Sequence, residues 1–89
     1  MLIKFNKKFK KQYDKADLKI QSTFQKKLKL FLDSPFHSQL NNHQLTGWLS
    51  SYRSINITGD WRALYSDYTL DSKRVIVFEM IGTHSQLYK

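Results

Sequence analysis

The spacing of apolar positions changes twice along the chain. Leu2, Ile3 and Phe5 predict a short first strand, and Asn6 then offers an N-cap. Phe5, Phe9 and Tyr13 recur at four-residue steps with lysines between them, the stripe of a short amphipathic helix. Asp14 and Asp17 mark a break. Asp17 is placed to cap a second helix over about Leu18–Asp33, whose inner face carries Ile20, Phe24, Leu28 and Phe31 or Leu32. Ser34-Pro35 ends it, because the residue before a proline is pushed out of helical geometry. From Phe36 to Ser51 neither period holds, and a long irregular connection is expected.

The period then becomes two. Arg53, Ile55 and Ile57 alternate with Ser54 and Asn56; Trp61, Ala63 and Tyr65 alternate with Arg62, Leu64 and Ser66. Trp61 and Arg62 are therefore expected on opposite faces. Thr58-Gly59-Asp60 and Leu70-Asp71-Ser72-Lys73 read as turns, and Arg74–Ile81 as a third strand of this meander. The last residues read as a loop or one helical turn. The predicted order is β-α-α-β-β-β: an α+β fold with a helical hairpin packed on one face of a small antiparallel sheet. The opposite face, with Ser54, Asn56 and Thr58, is expected to be uncovered, and candidate chemistry is sought there.

Length and composition narrow the class. Eighty-nine residues predict a single domain over 1–89, with room for one modest core. With no cysteine there is neither a disulfide staple nor a thiolate metal site. No segment approaches the 18–20 or so apolar residues of a membrane span, and Met1–Phe5 is too soon interrupted by lysine for a signal peptide. A soluble, cytoplasmic protein without membrane partners is expected. Charge changes the picture most: 15 Lys+Arg against 7 Asp+Glu give +8. Ten of the 12 lysines fall in the first 30 residues. Such a field attracts polyanions: nucleic acid, an acidic protein or an anionic membrane surface.

Chemistry is limited by what is present. His37, His43 and His84 form no HxxxH or HxH pair, so no metal site is expected. Three scattered glycines make no nucleotide-cradling loop, and no small-molecule cofactor is expected; no G-x-S-x-G nucleophile elbow marks a catalytic serine. What remains is acid–base chemistry on a basic, aromatic surface, with His43, His84, Asp60, Arg53 and Arg62 as polar groups. Trp48, Tyr52, Trp61 and Tyr88 are available for stacking on unpaired bases. RNA cleavage without a metal needs such a set: a base for the ribose 2′-hydroxyl, an acid for the departing 5′-oxygen, and cations for the charge on phosphorus. Histidine suits both proton-transfer roles.

The run His43-Gln44-Leu45-Thr46-Gly47-Trp48, then Tyr52-Arg53, then Asp60-Trp61-Arg62-Ala63-Leu64-Tyr65, ends in Gly82-Thr83-His84-Ser85-Gln86-Leu87-Tyr88. In order and spacing these motifs resemble the RelE/ParE toxin superfamily, and within it the YafQ-type mRNA interferases of type II toxin–antitoxin systems. The resemblance spans about Leu40–Tyr88. It implies a RelE-like fold and a ribosome-dependent mRNA endonuclease that inhibits translation. It implies His43, Asp60 and His84 as catalytic residues, with His84 the candidate general acid. Trp61 and Tyr88 match aromatic positions of the RNA site, and Arg53 the arginine of the Y-R element; Arg62 and Asn56 complete the expected RNA-binding set. Two positions depart. Asn56 stands where the family carries a second histidine, and Met80 where the last strand carries an arginine. Asparagine exchanges no proton near neutral pH, and methionine cannot neutralise a phosphorane, so reduced activity is implied. The implied partners are a cognate acidic antitoxin, the ribosome and mRNA. The competing readings are a gyrase-directed toxin of the ParE branch, a catalytically silent binder of ribosome or antitoxin, and an unrelated basic nucleic-acid-binding module.

Overall fold

The computed structural model describes residues 1–88. Strand β1 (Leu2–Phe5) leads into helix α1 (Lys7–Lys15), and helix α2 (Leu18–Asp33) follows after a two-residue break. Both predicted caps form. The Asn6 side chain accepts from the Phe9 amide at 2.8 Å, and Asp17 from the Ile20 amide at 2.9 Å, each satisfying a donor that the first helical turn cannot. Ile20, Phe24 and Phe31 of α2 are buried, whereas Leu32 is exposed. Strand β3 (Arg53–Asn56), strand β4 (Trp61–Leu70) and strand β5 (Lys73–Thr83) form the expected meander. Asp71 and Ser72 turn the β4–β5 hairpin with φ of 50° and 66°, the left-handed pair whose twist matches the strands.

Two features of the sheet differ from the expectation. It is mixed, and with β2 (His43–Gln44) it has five strands in the order β1-β5-β4-β3-β2, β1 lying parallel to β5. Both helices and the other strands separate β1 from β5 in sequence, so no tight turn dictates their relative direction. The extra strand β2 (His43–Gln44) lies within the connection read as irregular, pairing antiparallel with β3. Two residues are too few to show a period.

The helices cover one face of the sheet through a largely aromatic core. Phe24 meets Phe78 edge-on at 5.5 Å, and Phe31 meets Tyr65 at 5.1 Å. A β-bulge serves this packing: Leu64 pairs with Met80 and Tyr65 with Phe78, so Glu79 has no residue opposite it in the register of β4. Phe78 and Ile81, an odd number of residues apart, thereby both reach the helix-side core. The other face is not bare. Leu49, Leu64 and Leu87 form a second small core there, flanked by Leu45, Tyr52, Met80 and Tyr88. The expectation of an uncovered face is corrected accordingly: apolar residues from the 45–52 loop and the C-terminal turn close over it, because Leu64 and Met80 would otherwise stand in water. No helix of the described residues is long and apolar enough to cross a membrane.

Candidate functional site

The second core positions the site. Cross-strand register sets His43 of β2 beside Ser54 of β3, Ser54 beside Leu64 of β4, and Leu64 beside Met80 of β5. Directly opposed residues share a face, so His43 sits at one end of a row crossing the sheet away from the helices. Asn56, Arg62 and Gly82 form the next row on that face.

His84 arrives from the other side. It opens a one-turn helix α3 (His84–Leu87) whose start carries a full capping box: Thr83 Oγ1 accepts from the Gln86 amide, and Gln86 Oε1 accepts from the Thr83 amide at 2.9 Å. The His84 amide donates to the Asp60 carbonyl at 3.0 Å, tying α3 to the β3–β4 turn. Leu87 is buried in the second core. Gly82 lets the turn pack closely with its capping box intact, since a Cβ there would lie 2.9 Å from Gln86 Oε1 and 3.4 Å from Leu87 Cδ2. The Tyr88 ring then packs edge-on against the His84 ring at 4.6 Å, and its hydroxyl donates to the fully buried Ser54 Oγ at 2.9 Å.

His43 and His84, distant in sequence, thus line one open cleft of about 430 Å³ together with Tyr88 and Trp48. Both imidazoles are exposed. His43 Nδ1 lies 2.7 Å from the Asn41 carbonyl oxygen. A carbonyl only accepts, so Nδ1 carries the proton in the neutral ring and Nε2 keeps its lone pair. Asn41 holds that carbonyl in place from a left-handed backbone conformation, φ 45° and ψ 47°. Asp60 is exposed on the turn whose carbonyl holds α3.

The remaining predicted residues divide between the faces. Asn56 and Arg62 lie on the cleft face. Arg62 Nη1 donates to the Thr58 and Trp61 carbonyls at 2.9 and 3.1 Å, anchoring the guanidinium at the turn. Asn56 Oδ1 is buried without a hydrogen-bond partner. Trp61 faces the helices instead, packed on the main core and lining a separate hollow with Gln12, Lys15 and Gln86. Arg53 also lies on the helix side. Its guanidinium covers the Phe36 ring at 5.2 Å, and its Nε donates to Asn42 Oδ1 at 2.9 Å. Asn42 in turn donates to the Tyr65 hydroxyl at 2.7 Å. Burial raises the Tyr65 pKa above the usual tyrosine value, with the Asn42 hydrogen bond and the Arg53 charge opposing that rise. The structure therefore does not bring Trp61 or Arg53 to the cleft that holds the two histidines. Their alternation in the sequence carried that signal, since both share the parity of the core residues Ile55 and Ala63. Ser54 was missed as a site residue because nothing in a lone strand serine announces its partner 34 positions away. Among the described residues no three His, Asp or Glu side chains converge as metal ligands would.

Comparison with known proteins places this geometry. A family profile described as the bacterial toxin of type II toxin–antitoxin systems, YafQ, matches residues 1–89. No curated protein matches the chain by sequence. Several solved structures share the fold. Escherichia coli YafQ superposes with a TM-score of 0.78 at 21% identity, covering 98% of this chain and 97% of its own. The YoeB/ParE toxin of Agrobacterium tumefaciens gives 0.75 at 17% identity, covering 94% and 99%. The toxin of the E. coli DinJ–YafQ toxin–antitoxin complex gives 0.69 at 23% identity, covering 98% and 96%. With the profile matching end to end and the fold shared, the chain belongs to the YafQ family of bacterial toxins of type II toxin–antitoxin systems.

Proposed function

We propose that this toxin is an endoribonuclease that cuts mRNA on the ribosome by acid–base transesterification. The observation that carries the reading is the pairing of His43 and His84 in one solvent-open cleft, with His43 Nε2 left as a free acceptor. His43 takes the proton from a ribose 2′-hydroxyl. The 2′-oxygen attacks the adjacent phosphorus, and the bond to the 5′-oxygen breaks. His84, protonated, supplies the proton to that leaving oxygen. The products are a 2′,3′-cyclic phosphate and a 5′-hydroxyl end, and the proton gained by His43 balances the proton given by His84. Asp60 contributes a carboxylate beside the start of α3. Arg62, in the row next to that of His43, counters charge on the phosphorane, and Asn56 beside it offers an amide to phosphate or base. Tyr88 holds the His84 ring as well as bordering the RNA. The helix lysines, nearly all exposed, would meet ribosomal RNA phosphates.

E. coli YafQ assembles with DinJ in a toxin–antitoxin complex. A net charge of +8 supports an acidic antitoxin as the corresponding partner here.

One observation favours a slower enzyme. Met80 lies in the same cross-sheet row as His43 and packs against the second core, so an apolar thioether occupies a place where the family carries a cation. The test is primer extension on mRNA after induced expression, with His84→Ala and Asn56→His beside the parent. Cleavage that depends on translation is expected for the parent. It should fall by about 10²–10⁴-fold in His84→Ala, the usual share of one acid–base group, and rise in Asn56→His. Undiminished cleavage by His84→Ala would remove its assigned role.

A further inference from the structure

Trp48 is 69% exposed, the second most exposed of the large apolar side chains, and it stands at the cleft that holds both histidines. A tryptophan left in water on a flexible tip would mean little, since scattered surface apolar residues are common. This one is held by a rigid device. Gly47, at φ +65°, takes a left-handed conformation, opening the 3₁₀ turn that carries Trp48 and Leu49. Leu49 is buried in the second core, so the turn is anchored from beneath while the neighbouring indole projects outward. Three backbone hydrogen bonds, Leu45 to Tyr52, Ser50 to Gly47 and Tyr52 to Leu49, close the loop together with the pairing of β2 with β3. The Gln44 side chain ties the loop again through the Tyr52 carbonyl at 3.0 Å.

The aromatic that sequence pattern would place at the substrate, Trp61, lies on the helix side of the sheet. Tyr88 has its hydroxyl engaged by Ser54 and its ring against His84. That leaves Trp48 as the large aromatic surface of the cleft that is both free and fixed. We infer that Trp48 is a nucleobase-binding subsite: its indole stacks on a single unpaired base next to the scissile phosphate, holding the strand across His43 and His84. Stacking on an indole accepts any base, because every base has a π face. The subsite therefore favours single-stranded RNA with an unstacked base over duplex, without selecting a sequence. This inference rests on the RNA-cleaving reading for its substrate, but its test does not depend on catalysis.

The probe is a ribosome programmed with a short mRNA whose exposed codon carries 2′-O-methyl riboses, which cannot be cut. Binding of fluorescently labelled toxin is measured for the parent, Trp48→Phe and Trp48→Ala. Each is tested on the intact mRNA and on one with a single abasic nucleotide at successive positions of that codon. Trp48→Ala should bind about tenfold more weakly, the share of one stacked base, with Trp48→Phe close to the parent. At one position the abasic mRNA should weaken the parent to the same degree and leave Trp48→Ala unchanged. Equal binding by Trp48→Ala and the parent would overturn the inference. So would losses that multiply at every abasic position, since Trp48 would then touch the ribosome and not the base. Absence of mRNA-dependent binding by the parent overturns it as well. If binding follows the expected pattern while the cleavable mRNA stays whole, the subsite stands and the proposed chemistry falls.

Discussion

Gly82→Ala separates the placement of His84 from the stability of the fold. The added Cβ would lie 2.9 Å from Gln86 Oε1, so that side chain must leave. The oxygen it displaces accepts from the Thr83 amide and forms half of the capping box. One such bond contributes about 1 kcal/mol. Leu87 Cδ2, at 3.4 Å, must give only slightly. Against these costs, alanine narrows the unfolded ensemble and returns about 0.4–1 kcal/mol. The net destabilisation is about 0–1 kcal/mol, a melting shift of no more than roughly 4–8 °C for a domain of this size. The effect on chemistry should be larger. Helix α3 carries His84 on its first residue, and a displacement of about 1 Å at a reacting group can cost 10²-fold. Thermal melts beside single-turnover cleavage of mRNA on programmed ribosomes would read both quantities. Activity down by about 100-fold with a melting loss under about 8 °C is expected. Activity within about twofold of the parent would show that α3 tolerates the methyl group and that Gly82 does not set the geometry; a melting loss beyond about 15 °C, roughly twice the estimate, would show that the packing was misjudged.

Two further outcomes follow from the same contacts. Tyr88→Phe strands the buried Ser54 hydroxyl and should cost about 1–3 kcal/mol in urea unfolding, and adding Ser54→Ala should recover most of it, since removing both partners is close to neutral; an additive loss would argue against the Tyr88–Ser54 bond. Tyr65 has its pKa raised by burial, so the folded chain keeps this proton after the unfolded chain has lost it. Its contribution to stability is therefore complete below the ordinary tyrosine value near 10 and is lost as pH rises through the raised value, by up to about 1.4 kcal/mol per pH unit. Tyr65→Phe should flatten that alkaline decline in denaturant titrations, and an unchanged slope would contradict the assignment.

Much of this was legible from local pattern. The two helices, their caps at Asn6 and Asp17, and the stop at Ser34-Pro35 follow from interactions within a few residues, which a sequence displays directly. The meander was legible for a similar reason, since alternation separates the faces of a strand; the same parity points Trp61 and Arg53 beneath the helices, against the family resemblance that put both in the RNA-binding set. The motif around His84 pointed to the family.

What the sequence could not display was every contact whose partners lie far apart along it. The parallel pairing of β1 with β5 depends on how the helices carry the chain back across the sheet. The bulge at Glu79, the two-residue strand carrying His43, and the second core over the supposed open face all arise from packing between segments that are not neighbours in sequence. Local pattern thus determined the elements and named two histidines. Tertiary structure decided that they meet, because only the register of β2 on β3 and the return of α3 over Gly82 bring His43 and His84 to one cleft.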